Sequence, residues 1–221
     1  FGTGNNGLTL SGAAAYAGKA LFGAGDDAMA LSGTAFFSGT ADFGGGTDTL
    51  TMSGTSAFTG SFANSGGLGV VLNGGTLDLA KGTVALRSLS IGSAGVLGVT
   101  LDSTNHSSTL FLVSGDASFA AGSKIAVRLT GIADAEGRYS FLQAGSITGT
   151  SNLATANTAL PFMFKSSIVA TAPTQLAIDI TRKTTTELGL NRSQASAYNA
   201  IYQALTKDSK VAGVFLNTLD G

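Results

Sequence analysis

Residues 1–12 read FGTGNNGLTLSG, residues 22–33 read FGAGDDAMALSG, and residues 43–54 read FGGGTDTLTMSG. All three fit Phe-Gly-x-Gly-x-[Asn/Asp]-x-[Leu/Met]-[Thr/Ala]-[Leu/Met]-Ser-Gly. They start at Phe1, Phe22 and Phe43, a spacing of 21 both times. The second half of the unit recurs too, with Tyr16, Phe37 and Phe58 in one column and Gly18, Gly39 and Gly60 in another. Self-similarity at a fixed period marks an array of stacked units, each too small to bury its own apolar side. Within each unit apolar residues alternate, as Leu8/Leu10, Met29/Leu31 and Leu50/Met52, between glycine and Ser-Gly punctuation. That is how short strands bounded by turns read.

Strands stacked ~4.8 Å apart pair each backbone with the next and make a continuous apolar column. The spacing therefore predicts an all-β parallel solenoid with 21-residue rungs. Phe1/Phe22/Phe43, Leu8/Met29/Leu50 and Tyr16/Phe37/Phe58 become inward ladders. Glycines take the corners, where positive φ is needed. No helix-length periodic segment fits between these strands, so alternating strand and helix does not compete. The array starts on the first residue of a motif copy, and Phe1 is expected to be the cut end of a longer stack.

Beyond Gly60 the period loosens, through Val70–Asn73, Leu89–Gly92 and Leu97–Leu101. From residue 105 the texture changes. Strand-like alternation continues at Leu110–Val113, Ile125–Leu129, Tyr139–Leu142 and Leu176–Ile180, with longer connections. A solenoid needs an atypical unit over its open end, and residues 105–183 are expected to be that β cap, following repeats at 1–104. Residues 184–221 read as helical. Asn191 with Gln194 three residues on makes a capping box, followed by Ala195, Tyr198, Tyr202 and Leu205 at helical spacing. Val211, Phe215 and Leu219 then suggest a second short helix.

Glycine accounts for 32 of 221 residues and charged residues for 11%, against roughly 25% charged in an average domain. A hydrophobic share of 43% and mean hydropathy of +0.31 argue against a disordered chain. Twelve basic and thirteen acidic residues leave a net charge of −1. No basic stripe neutralises phosphates, so nucleic acid is excluded as a partner. Cysteine is absent, which removes disulfides, thiolate metal sites and a cysteine nucleophile. No apolar run approaches the ~18 residues of a membrane helix.

The stretch Ser114-Gly115-Asp116-Ala117-Ser118-Phe119-Ala120-Ala121-Gly122-Ser123-Lys124-Ile125-Ala126-Val127 resembles the end of a bacterial autotransporter passenger (type V secretion). So does Gly137-Arg138-Tyr139-Ser140-Phe141-Leu142-Gln143-Ala144-Gly145-Ser146-Ile147-Thr148-Gly149. Leu176 to Arg182, followed by the helix around Gln194 to Leu205, is similar to the segment ahead of that family's translocator barrel. The Gly-x-[Asn/Asp]-x-Leu-x-Leu-x-Gly texture of the repeats fits such passengers as well. The resemblance implies a right-handed β-helix, secreted or displayed at the cell surface. A C-terminal outer-membrane β-barrel of the same polypeptide would be the partner, and the last passenger region would assist folding. Two parts of the full pattern are missing from this stretch: the alternating ~10-residue strands of a barrel and an N-terminal functional region.

Candidate chemistry is sparse. His106, the only histidine, stands in the polar run Thr104-Asn105-His106-Ser107-Ser108 with no second histidine and no Gly-x-Ser-x-Gly motif, and reads as an exposed loop residue. The column Asn6/Asp27/Asp48 leaves two readings open. At an exposed corner, aspartates ~5 Å apart repel by only ~0.8 kcal/mol in water and serve an Asx turn; if buried, the pair wants a cation. The column overlaps the calcium-binding nonapeptide of RTX toxins, but that repeat runs every nine residues. Asp26-Asp27 and Asp134/Glu136 are the only close carboxylate groupings, and adjacency does not supply the two-sided cleft of a glycosidase.

The expectation is thus a non-enzymatic stalk and folding template that supports secretion and adhesion. No catalytic, cofactor-binding or metal residue is assigned. The alternative is a direct adhesin that binds a host-surface receptor, glycan or protein, through Thr/Ser-rich rung faces. A β-helix carbohydrate-active enzyme comes third.

Overall fold

The computed structural model describes residues 1–156 and 160–216. The first three repeats contribute strand pairs: β1 (Gly7–Leu10) and β2 (Ala15–Leu21), β3 (Ala28–Leu31) and β4 (Phe36–Asp42), β5 (Thr49–Met52) and β6 (Ala57–Ala63). Then follow β7 (Gly69–Leu79), β8 (Thr83–Leu86), β9 (Ser88–Asp102), β10 (Ser107–Ser108), β11 (Leu110–Phe119) and β12 (Lys124–Leu129). The last strands are β13 (Gly137–Thr148), β14 (Ala154–Ala156), β15 (Phe164–Ala172) and β16 (Gln175–Arg182), followed by helices α1 (Arg192–Lys207) and α2 (Ser209–Leu216). The chain is mostly β, with one large, predominantly parallel sheet and short C-terminal helices.

Equivalent residues of successive repeats lie side by side. One column runs Leu8–Met29–Leu50–Val70–Leu89–Ala117–Ile147. A second runs Tyr16–Phe37–Phe58–Leu77–Leu97–Ile125–Thr155. Every step in both is a parallel pairing. The spacing drifts along them: 21 from Leu8 to Met29, 19 from Val70 to Leu89, 28 from Leu89 to Ala117. Parallel pairing therefore continues past residue 105 into β11, β12 and β13. Direction reverses in the short β9–β10 hairpin, where Ser108 lies opposite Leu101, and at the far end, where β13 pairs antiparallel with β16, and β16 with β15.

The aromatic ladders form as the period predicts. Phe1 stacks on Phe22 at 4.8 Å and Phe22 on Phe43 at 5.4 Å, with Phe37 on Phe58 at 4.7 Å. Phe22 and Phe43 are buried, but Phe1 is 60% exposed because it stands at the end of its column. Tyr16 and Leu8, on the same end, are half-buried. Gly18, Gly39 and Gly60 sit at φ 140, 142 and 147, a region that L side chains rarely adopt.

Inward residues of all the parallel strands form one core with the far end: Phe58, Leu72, Ile91, Leu97, Phe111 and Ile125 are continuous with Tyr139, Phe141 and Phe164. Helix α1 packs onto that end. Leu205 is buried, Tyr202 meets Phe164 edge-on at 6.3 Å, and the Arg182 guanidinium lies 4.4 Å over the Tyr202 ring. Its capping box is present: the Asn191 side chain accepts from the Gln194 N–H at 2.9 Å, and the Gln194 side chain accepts from the Asn191 N–H at 2.9 Å. Asn191→Ala is expected to cost about 1 kcal/mol of helix stability, seen as faster amide exchange in α1 with an unchanged rate in β9. Val211 and Phe215 fall within α2, while Leu219 lies outside the described residues.

Candidate functional site

At the corner ahead of β1, β3 and β5 the backbone turns out of the pairing direction, and its N–H groups need other acceptors. Side chains one repeat away supply them, in two adjacent ladders of opposite sense. In one, Asp27 Oδ1 accepts from the Asn6 N–H at 2.6 Å, and Asp48 Oδ1 from the Asp27 N–H at 2.9 Å. In the other, Asn5 Oδ1 accepts from the Asp26 N–H at 2.9 Å, and Asp26 Oδ1 from the Thr47 N–H at 2.7 Å. The first ladder faces inward: Asp27 and Asp48 are buried, whereas Asp26 is exposed. The second ladder was missed from sequence, although its members also repeat every 21 residues.

The corner is thus buried, the branch in which a carboxylate pair wants a cation. Asp27 Oδ2 and Asp48 Oδ2 have no hydrogen-bond partner. Burial pushes the Asp48 carboxyl above its ordinary value of 3.8. The Asp27 N–H draws it back, the Asp27 and Asp26 charges push it up again, and Arg87 lowers it. Among the described residues no three carboxylate, histidine or cysteine side chains converge as a metal would require. The β circular-dichroism signal is accordingly expected to survive excess chelator, and its loss would reinstate a structural cation.

Asp48 variants separate charge from hydrogen bonding. Asp48→Ala strands the buried Asp27 N–H, which costs about 1–3 kcal/mol. Asp48→Asn keeps an oxygen acceptor and removes the charge, so it is expected to be more stable than the parent at pH 7. A raised folded-state pKa means that protonation favours the fold, with the penalty full above that pKa and relieved as pH falls through it toward 3.8. The advantage of Asp48→Asn over the parent in urea melts should therefore shrink from pH 7 to pH 4.

His106 is exposed, at φ 46, with its ring stacked on Tyr139 at 5.7 Å. Its loop is held by Asp102, whose carboxylate accepts from the Thr104 N–H at 3.0 Å, the Asn105 N–H at 3.2 Å and the Asn105 side chain at 2.8 Å. Lys81 pairs with the same carboxylate and holds it well below its ordinary range, with help from Asn105. Lys81 and Asp102 stand 21 residues apart, but the strands around them are offset by 20 and then 28 residues, so the repeat did not point to the pair. Beside them opens a cleft of about 380 Å³ lined by Lys81, His106, Ser108, Arg138 and Ser140. Arg138 is already held in two-point contact by Asp179, both bonds 2.7 Å. Of the Asp134/Glu136 grouping, the Glu136 carboxylate accepts from the Arg182 N–H at 3.0 Å, and the Asp134 backbone carbonyl receives the Tyr139 hydroxyl at 3.4 Å.

Outward positions of β2, β4 and β6 are small and polar, with Thr40 Oγ1 and Ser61 Oγ hydrogen-bonded at 3.0 Å across repeats. Two large apolar side chains, Leu21 and Phe36, are exposed among them. No protein-family model, curated protein or solved structure matches the chain.

Proposed function

We propose that the chain is the stalk and folding template of a surface-displayed autotransporter passenger, with its parallel strands wound as a right-handed β-helix. One observation carries this reading: past the last parallel strands the direction of pairing reverses, and antiparallel β15 and β16 with helix α1 cover the core there. A closed end of that kind offers a formed edge on which parallel repeats can be laid down. In this reading residues 105–183 fold as the template, the 21-residue rungs add to it, and the rungs hold whatever precedes them away from the membrane. Residues 184–221 lead toward an outer-membrane barrel of the same polypeptide. No enzymatic activity is part of this reading.

The test is display. The chain is placed between an N-terminal epitope tag and an outer-membrane translocator barrel, and antibody on intact cells reads the tag. The intact chain should present it, and deletion of 105–183 should remove the signal. Undiminished display after that deletion would overturn the template role. A second reading, direct adhesion to a host glycan or protein, is favoured by the exposed Leu21 and Phe36 beside the Thr40/Ser61 ladder. Saturable binding of the isolated chain to host cells, abolished by Leu21→Ser with Phe36→Ser, would support it.

A further inference from the structure

Among the described residues, two cations and no carboxylate line the cleft of about 380 Å³ bounded by the β7–β8 turn, the β9–β10 loop and the first residues of β13. Lys81 precedes Gly82 and Arg138 follows Gly137, two glycines at φ 144 and 145. His106, on the same cleft, is left-handed as well, at φ 46. Its ring lies on Tyr139 at 5.7 Å, and Tyr139 is buried with its hydroxyl donating to the Ala135 carbonyl at 3.0 Å. The imidazole is thus fixed from behind. Left-handed backbone clusters at ligand clamps, and here it sets three basic side chains around one opening.

The carboxylates that hold the two cations lie outside the lining. Asp102 is buried, and it takes Lys81 together with the Thr104 and Asn105 N–H groups. Asp179 takes the Arg138 Nε and Nη2, both at 2.7 Å. Donors are left over. An ammonium carries three N–H groups and a guanidinium five. One of the first and two of the second are used, and Arg138 Nη1 has no partner among the described residues. Exposed ion pairs contribute little to stability, so stability alone does not account for two cations held on one cleft. Thr83, Ser107 and Ser140 line it too and add hydroxyls.

We infer that this cleft is a binding site for an oxyanion, a sulfate or carboxylate group. The spare N–H groups of Arg138 and Lys81 donate to its oxygens, and the His106 ring forms the third wall. A guanidinium already held flat by a carboxylate is pre-organised for this, because its planar fork matches two oxygens of the ligand. The hydroxyls of Thr83, Ser107 and Ser140 suit the hydroxyl groups of a sugar that carries the charge.

The whole chain is titrated with sulfate, acetate, glucuronate and glucose, with chloride holding the ionic strength constant. The ring resonances of His106, the only histidine in the chain, read the cleft directly. Saturable shifts are expected with the three anions and none with glucose. Arg138→Gln should weaken anion binding about tenfold, the size of one charged hydrogen bond. Asp179→Asn should tighten it roughly twofold, because a like charge near the anion is gone and the guanidinium is released. A purely structural Arg138–Asp179 pair would not respond in opposite directions. Both variants should keep the amide spectrum of β2, β4 and β6, which separates lost binding from lost fold. Glucuronate bound more tightly than acetate assigns the oxyanion to a sugar, and equal binding assigns it to a free ion. No saturable shift, glucose binding as well as glucuronate, or an unchanged affinity in Arg138→Gln overturns the proposal.

Discussion

Gly39→Ala is expected to cost about 4 kcal/mol or more, a size reserved for a few structural lesions. The added Cβ would stand 1.8 Å from the Gly18 carbonyl oxygen, 2.8 Å from its carbon and 3.1 Å from its nitrogen. All three are backbone atoms of the adjacent repeat, so no side-chain rotation relieves the overlap. The residue also sits at φ 142, itself a strained place for alanine. Gly82→Ala isolates that second contribution: φ is 144 there, but a Cβ meets nothing within 4 Å. It should cost only about 1–3 kcal/mol. The difference between the two urea melts measures the close approach of successive repeats. Equal losses would mean that the repeats do not lie against one another as described.

Division of the chain after residue 104 should be larger still. Residues 1–104 alone are expected to be protease-sensitive, whereas 105–221 should melt cooperatively. The cut leaves β9 without partners on its downstream side, where Leu97 faces Ile125, Val99 faces Val127, Leu101 faces Leu129 and Ile91 faces Phe119. Each such side chain contributes about 1.5–3 kcal/mol when buried, and several are uncovered together. The C-terminal piece keeps Phe111, Tyr139, Phe141 and Phe164 in one core, along with the antiparallel closure. If 1–104 is the more stable half, the far end is an appendage and not a template.

The repeated half of the fold was legible because each unit places the same residue type at the same offset. Phe1, Phe22 and Phe43 could only meet if the chain returned every 21 residues. Beyond Leu77 neighbouring strands carry different residues, and the offset grows to 28 between Leu97 and Ile125, so nothing in the sequence aligned them. Strand direction was hidden for a related reason. Alternation at Leu176–Ile180 says that one face is covered, not whether Ile178 lies opposite Tyr139 in an antiparallel pair. The α1 cap was readable since both partners lie three residues apart. Whether Asp27 and Asp48 face water or core was not, because it depends on neighbours one repeat away: Asn6, whose N–H meets Asp27, and Gly67, whose carbonyl accepts from the Asp48 N–H at 3.2 Å.

The pairing order also decides how the chain yields to force. Tension applied at Phe1 along the stacking direction meets β1 first, whose hydrogen bonds to β3 run in that same direction and so open one after another, like a zip, and not together in shear. The next repeat is strained only once the outermost has left. Extension should advance in discrete steps, the first two each releasing 21 residues, or about 70 Å of extended chain. Because every detachment exposes an edge of the same kind, slack would let the repeats re-form in reverse order. Pulled from that end, the chain should give ground by one repeat at a time and recover it.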